Sequence, residues 1–304
     1  MTAVRSIRLG TRGSQLARSQ ADWVAARLHQ AAPDRPIAVV EIKTSGDRAA
    51  DARMREIGGE GIFTKEIQHA LLAGDVDVAV HSLKDLPTAP VTGLVLAAVP
   101  PRAPALDVLV SVQHRDWRAL PPAARVGTSS PRRRSQLLRL RSDLLVEEIR
   151  GNVPTRLRKI DEQGLTAVVL AHAGLHRLGL EDKITYRFTP DEMLPAPGQG
   201  ALGIECRSDD ADLTELLASL DDPPTRQAAA AERAVLAELR GGCHMPLGTL
   251  AAVAGDELHL RAIVLSTDGT RSIADSLDGP AAQAAALGRR LGERLLAAGA
   301  ADLF

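Results

Sequence analysis

Short apolar runs alternate with amphipathic helical patterns across the first two-thirds of this 304-residue chain. The run Val76-Asp77-Val78-Ala79-Val80 is typical of a strand, and similar runs recur between helical segments. This alternation predicts an α/β fold in which mainly parallel sheets are covered by helices on both faces. Residues 219–304 differ, because a helix is followed by three strand-like runs and then a final helix. That order predicts a small α+β domain at the end of the chain.

The composition excludes several classes of protein. The net charge is −1, and the aromatic residues are three Phe, two Trp and one Tyr, so both the basic field and the stacking surface that nucleic acids need are missing. No apolar run approaches the ~18–20 residues of a membrane span, and no apolar core of a secretory signal follows Met1. The two cysteines give neither a disulfide framework nor metal-ligand spacing. We expect a cytoplasmic protein with no metal and no nucleic-acid or membrane partner.

Three predicted loops share one plan, since each follows a strand, opens a helix and carries arginine at the junction. They read Thr11-Arg12-Gly13-Ser14, Thr128-Ser129-Ser130-Pro131-Arg132-Arg133 and Arg150-Gly151-Asn152-Val153-Pro154-Thr155-Arg156. In the second loop, Ser130 is the expected N-cap and Pro131 the first helical residue. Helix starts bind anions, and strand ends line the ligand crevice of an open α/β sheet. A single such arginine could merely be solvated, but three loops together predict a ligand with several negative charges.

A fourth loop, His81-Ser82-Leu83-Lys84-Asp85-Leu86-Pro87, directly follows an apolar strand. A carboxylate beside a lysine at a strand end can stabilise a cation or act as an acid or base. The alternative is a surface ion pair, which contributes little to stability. From these residues alone both interpretations remain open.

The two cysteines lie in different settings. Cys206 is in an apolar strand and is predicted to be a small buried residue. Cys243 follows the helix-ending Gly241-Gly242 and is predicted to lie on a loop, where a free thiol is a candidate nucleophile or attachment point. The sequence Gly198-Gln199-Gly200-Ala201-Leu202-Gly203 has dinucleotide-fingerprint spacing, but prolines precede it and a strand-like run follows. We therefore reject a dinucleotide site there.

Five motifs together resemble the porphobilinogen deaminases, also called hydroxymethylbilane synthases. They are His81-Ser82-Leu83-Lys84-Asp85, Gly127-Thr128-Ser129-Ser130 with Arg132-Arg133, Arg150-Gly151-Asn152 with Thr155-Arg156, Pro197-Gly198-Gln199-Gly200, and Gly241-Gly242-Cys243. The order and spacing match over essentially the whole chain. The resemblance implies two periplasmic-binding-protein-like (type II) α/β domains, residues 1–100 with 200–218 and residues 101–199. Residues 219–304 would form the third domain and carry Cys243, while residues 202–206 would return to the first domain's sheet.

The resemblance also implies the chemistry. A dipyrromethane cofactor, made from the enzyme's own substrate, would be attached to Cys243 by a thioether. Four porphobilinogen molecules would then be added in turn, each losing ammonia, before hydrolysis releases the linear tetrapyrrole. The family further implies a monomer.

Residue roles follow from the resemblance as well. Asp85 would be catalytic, because a carboxylate near the pyrrole N–H groups stabilises the cations formed when ammonia leaves. The cofactor would be bound by Ser82, Lys84, Asp85, Thr128, Ser129, Ser130, Arg132, Arg133, Arg150, Gly151 and Asn152. The substrate would be bound by Arg12, Ser14, Arg150, Arg156, Arg177 and Gln199. A lid would include Thr44, Gly58, Gly59, Gly61 and Phe63.

Two departures from the family pattern concern charged residues. The lid commonly reads Gly-Gly-Lys-Gly, but here Glu60 takes the lysine position, which weakens a role for this position in binding substrate anions. Arg134 extends the usual arginine pair and has no assigned role.

Two other functions are compatible with part of the pattern. A cytoplasmic module that binds sulfate or an organic acid would explain the arginines at helix starts, but not Cys243 or the third domain. A regulatory ligand-sensing domain normally comes with a helix-turn-helix segment, and the sequence contains none that we recognise.

Overall fold

The structure is a computed structural model that describes residues 6–44, 64–242 and 245–304. Its contacts divide the chain into two compact units, one formed by Met1–Arg102 with Ala201–Arg226 and the other by Ala103–Gly200 with Gln227–Phe304. Within the described ranges, no helix combines the length and the apolar character that crossing a bilayer requires.

The strands, in chain order, are β1 Ile7–Arg12, β2 Ile37–Ile42, β3 Val78–Ser82, β4 Leu94–Ala98, β5 Asp107–Val110, β6 Arg125–Gly127, β7 Leu145–Glu147, β8 Ala167–Ala171, β9 Tyr186–Arg187, β10 Leu202–Arg207, β11 Leu247–Ala254, β12 Glu257–Leu265 and β13 Ser272–Pro280. The helices are α1 Gln15–Ala31, α2 Lys65–Ala73, α3 Pro131–Leu140, α4 Val153–Glu162, α5 His172–Arg177, α6 Ala211–Ala218, α7 Pro223–Glu238 and α8 Ala284–Ala297.

The first unit is built on a five-stranded sheet in the order β2-β1-β3-β10-β4. Strands β1, β2 and β3 are parallel, whereas β10 is antiparallel to both of its neighbours. Helix α1 covers one face because its apolar residues, including Ala21, Val24 and Leu28, recur at helical spacing and are fully buried. The predicted return of residues 202–206 to this sheet is confirmed.

The second unit contains a sheet of the same plan, in the order β7-β6-β8-β5-β9. Strands β6, β7 and β8 are parallel, and β5 runs antiparallel to β8 and β9. The predicted α/β class is confirmed. Parallel pairing is limited to half of each sheet, since β10 in the first and β5 in the second run against their neighbours.

The antiparallel register in the second sheet has a consequence for the site. Asp107, the first residue of β5, lies opposite Ala171, the last residue of β8. The start of β5 therefore shares a sheet edge with the carboxyl ends of β6, β7 and β8, where helices α3, α4 and α5 begin.

The C-terminal part of the second unit is a separate antiparallel sheet in the order β11-β12-β13. Helices α7 and α8 pack on it, and their apolar residues form a common core with the strands. The predicted α+β character of this region is confirmed. Helices α7 and α8 approach closely at Gly288, where a Cβ would overlap the carbonyl oxygen of Ala231.

Candidate active site

The first unit brings two predicted site loops to one sheet edge. Strands β1 and β3 are parallel neighbours, so Arg12 at the end of β1 and Ser82 at the end of β3 lie at the same edge. Ser14 is the N-cap of α1, and its hydroxyl oxygen accepts a hydrogen bond from the Ala17 N–H at 3.3 Å. The hydroxyl proton of Ser14 can still be donated, because a cap uses only its acceptor side.

Ser82 is held by Gln20, a residue that the sequence interpretation missed. Gln20 is 3% exposed, and its Nε2 lies 2.9 Å from the Ser82 hydroxyl oxygen. It occupies the apolar stripe of α1 together with Ala17, Ala21 and Val24. A lone amide on a buried helical stripe is the signal that could have identified it, since buried polar groups need partners.

Lys84 and Asp85 lie in a single 3-10 turn directly after β3. The turn is anchored by Leu83, which is fully buried and whose N–H donates to Ala201 O at 3.0 Å. Both charged side chains are half-buried at the end of the strand. Anchoring to Ala201, the residue before β10, therefore places Asp85 at the same edge as Arg12 and Ser82.

His81, although part of the same motif, belongs to a different group. Its Nε2 lies 3.2 Å from Glu205 Oε2, and Gln68 Nε2 donates to that oxygen at 3.0 Å. All three residues are buried. Because side chains alternate along a strand, His81 points to the face opposite Ser82.

In the second unit, residues 128–130 form a tight turn at the end of β6. Thr128 Oγ1 accepts from the Ser130 N–H at 3.2 Å, and Ser130 Oγ accepts from the Arg133 N–H at 3.4 Å. Ser129 donates its hydroxyl proton to Ile149 O. The predicted cap Ser130, with Pro131 at the helix start, is confirmed. Thr128 and Ser130 use their oxygens as acceptors, so each retains a hydroxyl proton for a ligand.

Arg132 and Arg133 converge on the buried carboxylate of Asp107. Arg132 Nη1 donates to Asp107 Oδ2, and Arg133 Nε donates to Asp107 Oδ1 at 2.9 Å. Burial alone would raise the pKa of Asp107, but the charges of both arginines, with hydrogen bonds from Arg132 and Gln199, lower that pKa to about 2. Asp107 is thus a carboxylate at neutral pH, and two cations face one anion.

Gln199, predicted to bind substrate, lies inside this group. It is 1% exposed, and its Nε2 donates to Ala105 O at 2.6 Å and to Asp107 Oδ1 at 3.0 Å. Its Oε1 is 3.4 Å from Arg132 Nη2 and from Arg133 Nη2. Gln199 therefore holds other side chains in this structure, and its role towards a substrate stays a prediction.

The loop after β7 is shaped by its own side chains. Asn152 caps α4 by accepting from the Thr155 N–H at 3.0 Å, and Arg156 Nε donates to Gly151 O at 2.8 Å. Gly151 has φ +107°, a backbone conformation that favours glycine. Arg150 pairs with Glu148 at 2.8 Å on the surface of the loop, an ion pair that is weak enough to be exchanged for a ligand carboxylate.

Arg177 ends helix α5, which follows β8. Its Nη2 donates to Gly200 O at 2.7 Å, and burial lowers its pKa to about 10. Within the described ranges, no carboxylate is among its hydrogen-bond or ion-pair partners. The side chain remains cationic at neutral pH, so a ligand anion would stabilise it.

Some of the predicted residues lie outside the described ranges or next to their ends. Cys243 and the lid residues Gly58, Gly59, Gly61 and Phe63 lie outside the described residues, while Thr44 is fully buried just after β2. Cys206 is buried as predicted, and burial raises the pKa of its thiol. Arg134 donates to Val146 O at 2.6 Å and so ties α3 to β7.

Comparison with known proteins identifies the family. Residues 7–215 match the family described as porphobilinogen deaminase, dipyromethane cofactor binding domain, and residues 226–297 match the porphobilinogen deaminase C-terminal domain. The chain belongs to the porphobilinogen deaminase family. The first match contains Asp85 and the arginines of both sheet edges, and the second contains Cys243.

Named porphobilinogen deaminases align with this chain over nearly its full length. That of Pelotomaculum thermopropionicum is 47% identical over 300 residues and covers 99% of this chain and 96% of its own. That of Desulforudis audaxviator is 48% identical over 300 residues, with 99% and 97% covered. That of Geobacter metallireducens is 45% identical over 304 residues, with 99% and 95% covered.

Solved structures of solute-binding proteins are more distant than these porphobilinogen deaminases. The methionine binding protein MetQ has a TM-score of 0.46 at 13% identity and covers 75% of this chain and 94% of its own. The periplasmic aliphatic sulphonate binding protein SsuA from Escherichia coli has a TM-score of 0.40 at 16% identity, with 77% and 70% covered.

Proposed function

We propose that this chain joins four porphobilinogen molecules head to tail on a covalently bound dipyrromethane, with loss of ammonia at each addition. Hydrolysis then releases the linear tetrapyrrole hydroxymethylbilane. The structural observation that carries the proposal is an excess of cations in the second unit, directly after β6 and at the end of α5. Two guanidinium groups share the single carboxylate of Asp107, and Arg177 has no carboxylate partner in the described part of the chain.

The residues present fit a cofactor of this chemistry. Each porphobilinogen unit carries an acetate and a propionate, so dipyrromethane has four carboxylates. Arg132 is 3% exposed, and its Nε has no hydrogen-bond partner within the described ranges. A buried cationic donor without a partner is costly, and a ligand carboxylate would satisfy it.

The residues that would hold the cofactor follow three of the strands. These are Ser82, Lys84 and Asp85 after β3, and Thr128, Ser129, Ser130, Arg132, Arg133, Arg150, Gly151 and Asn152 after β6 and β7. When bound, dipyrromethane supplies the pyrrole ring to which the first substrate is joined. The hydroxyl protons of Thr128 and Ser130 and the cationic N–H groups are the donors that this chain contributes.

We propose that Cys243 forms the thioether bond to the dipyrromethane cofactor. A thiolate is a strong nucleophile, and the residue follows the glycines that end α7 in sequence. Cys206 is a poor alternative, because it is fully buried and burial raises the pKa of its thiol.

Asp85 would stabilise positive charge on the substrate. Loss of ammonia breaks the carbon–nitrogen bond of porphobilinogen and leaves a cation conjugated with the pyrrole N–H. A carboxylate held at the end of a strand accepts that N–H and offsets the charge without reorganising. Arg12, Ser14, Arg150, Arg156 and Arg177 would hold the substrate carboxylates, with Gln199 acting from within the Asp107 group.

The chain would form three domains, at residues 1–100 with 200–218, 101–199 and 219–304. It would also have a lid that includes Thr44, Gly58, Gly59, Gly61 and Phe63, a monomeric state and a cytoplasmic location. These points are supported by membership of the family.

Intact-protein mass spectrometry tests the proposal. The purified chain should be heavier than its sequence by two condensed porphobilinogen units and should colour with an acidic aldehyde reagent for pyrroles. Cys243→Ser should have the bare polypeptide mass, because a hydroxyl is a much poorer nucleophile than a thiolate. The matched control is Cys206→Ser, which should be modified like the wild type. A mass excess that persists in Cys243→Ser would move the attachment elsewhere.

A further inference from the structure

Asp107 lies at the centre of a group of buried polar side chains. It belongs to none of the motifs found in the sequence. It is 0% exposed and receives hydrogen bonds from Arg132, Arg133 and Gln199. Each of these three residues was predicted to bind cofactor or substrate. A single carboxylate from β5 thus connects side chains from helix α3 and from the loop before β10.

The contacts of the two arginines fix the direction of each guanidinium plane. Arg132 Nη1 also donates to Leu194 O at 2.8 Å, and Arg133 Nη1 donates to Val169 O at 3.2 Å. Since a guanidinium is rigid and planar, three contacts leave it no rotational freedom. Arg132 Nε is left as the donor without a partner in the described part of the chain.

Charge explains why a carboxylate is needed at this position. Arg132 and Arg133 both contact Asp107, so two like charges lie close together in a buried place. Their mutual repulsion and burial oppose this arrangement, and burial lowers the pKa of Arg133. Without the anion, both side chains would turn towards water, and their donors would no longer face the sheet edge.

We propose that Asp107 is a positioning residue, which together with Gln199 aims Arg132 and Arg133 at the carboxylates of the cofactor without touching it. This rests on the proposed function. Asp107 therefore controls cofactor assembly through the two arginines.

The chain contains a matched control for a purely structural ion-pair group. Asp77 is 2% exposed and accepts from Arg8 Nε at 3.0 Å and from Arg207 Nη2 at 3.2 Å. It lies just before β3, at the edge of the first sheet opposite Ser82. Like Asp107, it is a buried carboxylate that contacts two arginines, although the side chains of Arg8 and Arg207 are 39% and 17% exposed. It lies at the opposite end of β3 from the predicted site loop.

The experiment compares Asp107→Asn with Asp77→Asn. Both variants should unfold at lower urea concentration than the wild type. Asp107→Asn removes the charge that two buried guanidinium groups contact, and Asp77→Asn removes the buried charge that two partly exposed guanidinium groups contact. The folded fraction of Asp107→Asn should lack the cofactor mass, and after mixing with porphobilinogen it should acquire that mass about 100-fold more slowly than cofactor-free wild type. Asp77→Asn should carry the cofactor like the wild type.

Equal loading of the two variants would overturn the proposal. If Asp107→Asn does not fold, Gln199→Met is used instead, because it keeps the charges and the approximate side-chain volume. Slower acquisition of the cofactor mass by Gln199→Met supports the proposal, whereas acquisition at the wild-type rate overturns it. Measurements on the wild type distinguish a failure of the proposal about Asp107 from a failure of the proposed function. If the wild type itself carries no pyrrole mass and does not consume porphobilinogen, the function is wrong irrespective of Asp107.

Discussion

Asp85 combines an ionisable group with an anchored backbone. The buried Leu83 ties its 3-10 turn to Ala201, so the carboxylate is held at the end of β3. A group positioned before the reaction stabilises a developing charge better than one that must first reorient. The chemical importance of Asp85 therefore depends on its neighbours as much as on its charge.

Removing that charge should stop the reaction while leaving the fold intact. Asp85→Asn nearly preserves the shape of the side chain, so we expect porphobilinogen to bind but the rate of tetrapyrrole release to fall by about 10²–10³ or more. The measurement is turnover, together with the intact mass of the variant after mixing with porphobilinogen.

Asp85→Glu is the companion variant. It keeps the charge but displaces it by one methylene, and we expect residual activity with partly built chains visible by mass. Release of tetrapyrrole by Asp85→Asn at near the wild-type rate would exclude Asp85 from the mechanism and leave it as part of a surface ion pair.

At the residue scale, the residues at helix starts can be predicted from the sequence, but the buried side chains that position the site residues cannot. Ser130 and Asn152 cap α3 and α4 because local chemistry at a helix N-terminus is encoded within four residues. Gln20 and Asp107 escape prediction because their partners lie far along the chain and meet them only through sheet pairing. Arg134 has a structural role, in its bond to Val146 O, that depends on the same pairing.

Among the secondary-structure elements, long periodic segments are predicted well and short ones are not. The pattern predicts a helix over residues 14–31 and strands over residues 250–253, 257–265 and 271–276, and these ranges lie within a few residues of α1 and of the strands of the C-terminal sheet. Helix α6 and strand β9 are missed. Helix α6 has eight residues, of which Leu213 and Leu217 are buried, and β9 is a two-residue strand defined by pairing with β5. Such elements owe their conformation to tertiary contacts, so local periodicity carries no signal for them.

The packing of α7 against α8 gives a test in which two effects have opposite signs. Glycine in a helix interior normally costs about 1 kcal/mol relative to alanine. At Gly288, however, an added Cβ would overlap Ala231 O of α7. We expect Gly288→Ala to lower the free energy of unfolding by about 1–3 kcal/mol, as overpacking does, measured by urea denaturation.

The control for this prediction is Ala285→Gly on the exposed side of the same helix. Because Ala285 lies in the first turn of the helix, this change should lower the free energy of unfolding by up to about 1 kcal/mol. It measures helix propensity without the overlap between the two helices. A Gly288→Ala variant that is more stable than the wild type would mean that the two helices separate without loss.

At the scale of the whole molecule, the least predictable feature is the return of β10 to the first sheet. Its apolar residues indicate a strand, but periodicity does not say which sheet receives it; the family resemblance supplied that expectation. In the structure β10 lies between β3 and β4, so two strands that are close in sequence do not pair with each other.

This topology predicts how the first unit behaves when it is divided. Residues 1–102 alone should show no cooperative unfolding, because the strand between β3 and β4 is missing. The same segment joined to residues 201–226 by a flexible linker should unfold cooperatively, as followed by circular dichroism in urea.

Ile204→Asp in the joined protein is the control, because Ile204 is fully buried in β10. It should abolish the transition. Cooperative unfolding of residues 1–102 without β10 would show that the sheet closes in another way.

The position of β10 also sets an order of events during synthesis. Strands β1 to β4 leave the ribosome first, but the gap between β3 and β4 stays open for about 5–20 s while roughly a hundred further residues are translated. For that time two unpaired strand edges are exposed to water, and such edges are prone to aggregate. Strands β5 to β9 have all emerged before β10, so the second sheet can form completely while the first still lacks a strand. The first sheet, although its strands are synthesised first, is then completed after the second sheet. Chaperones are therefore needed longest for the amino-terminal part of the nascent chain.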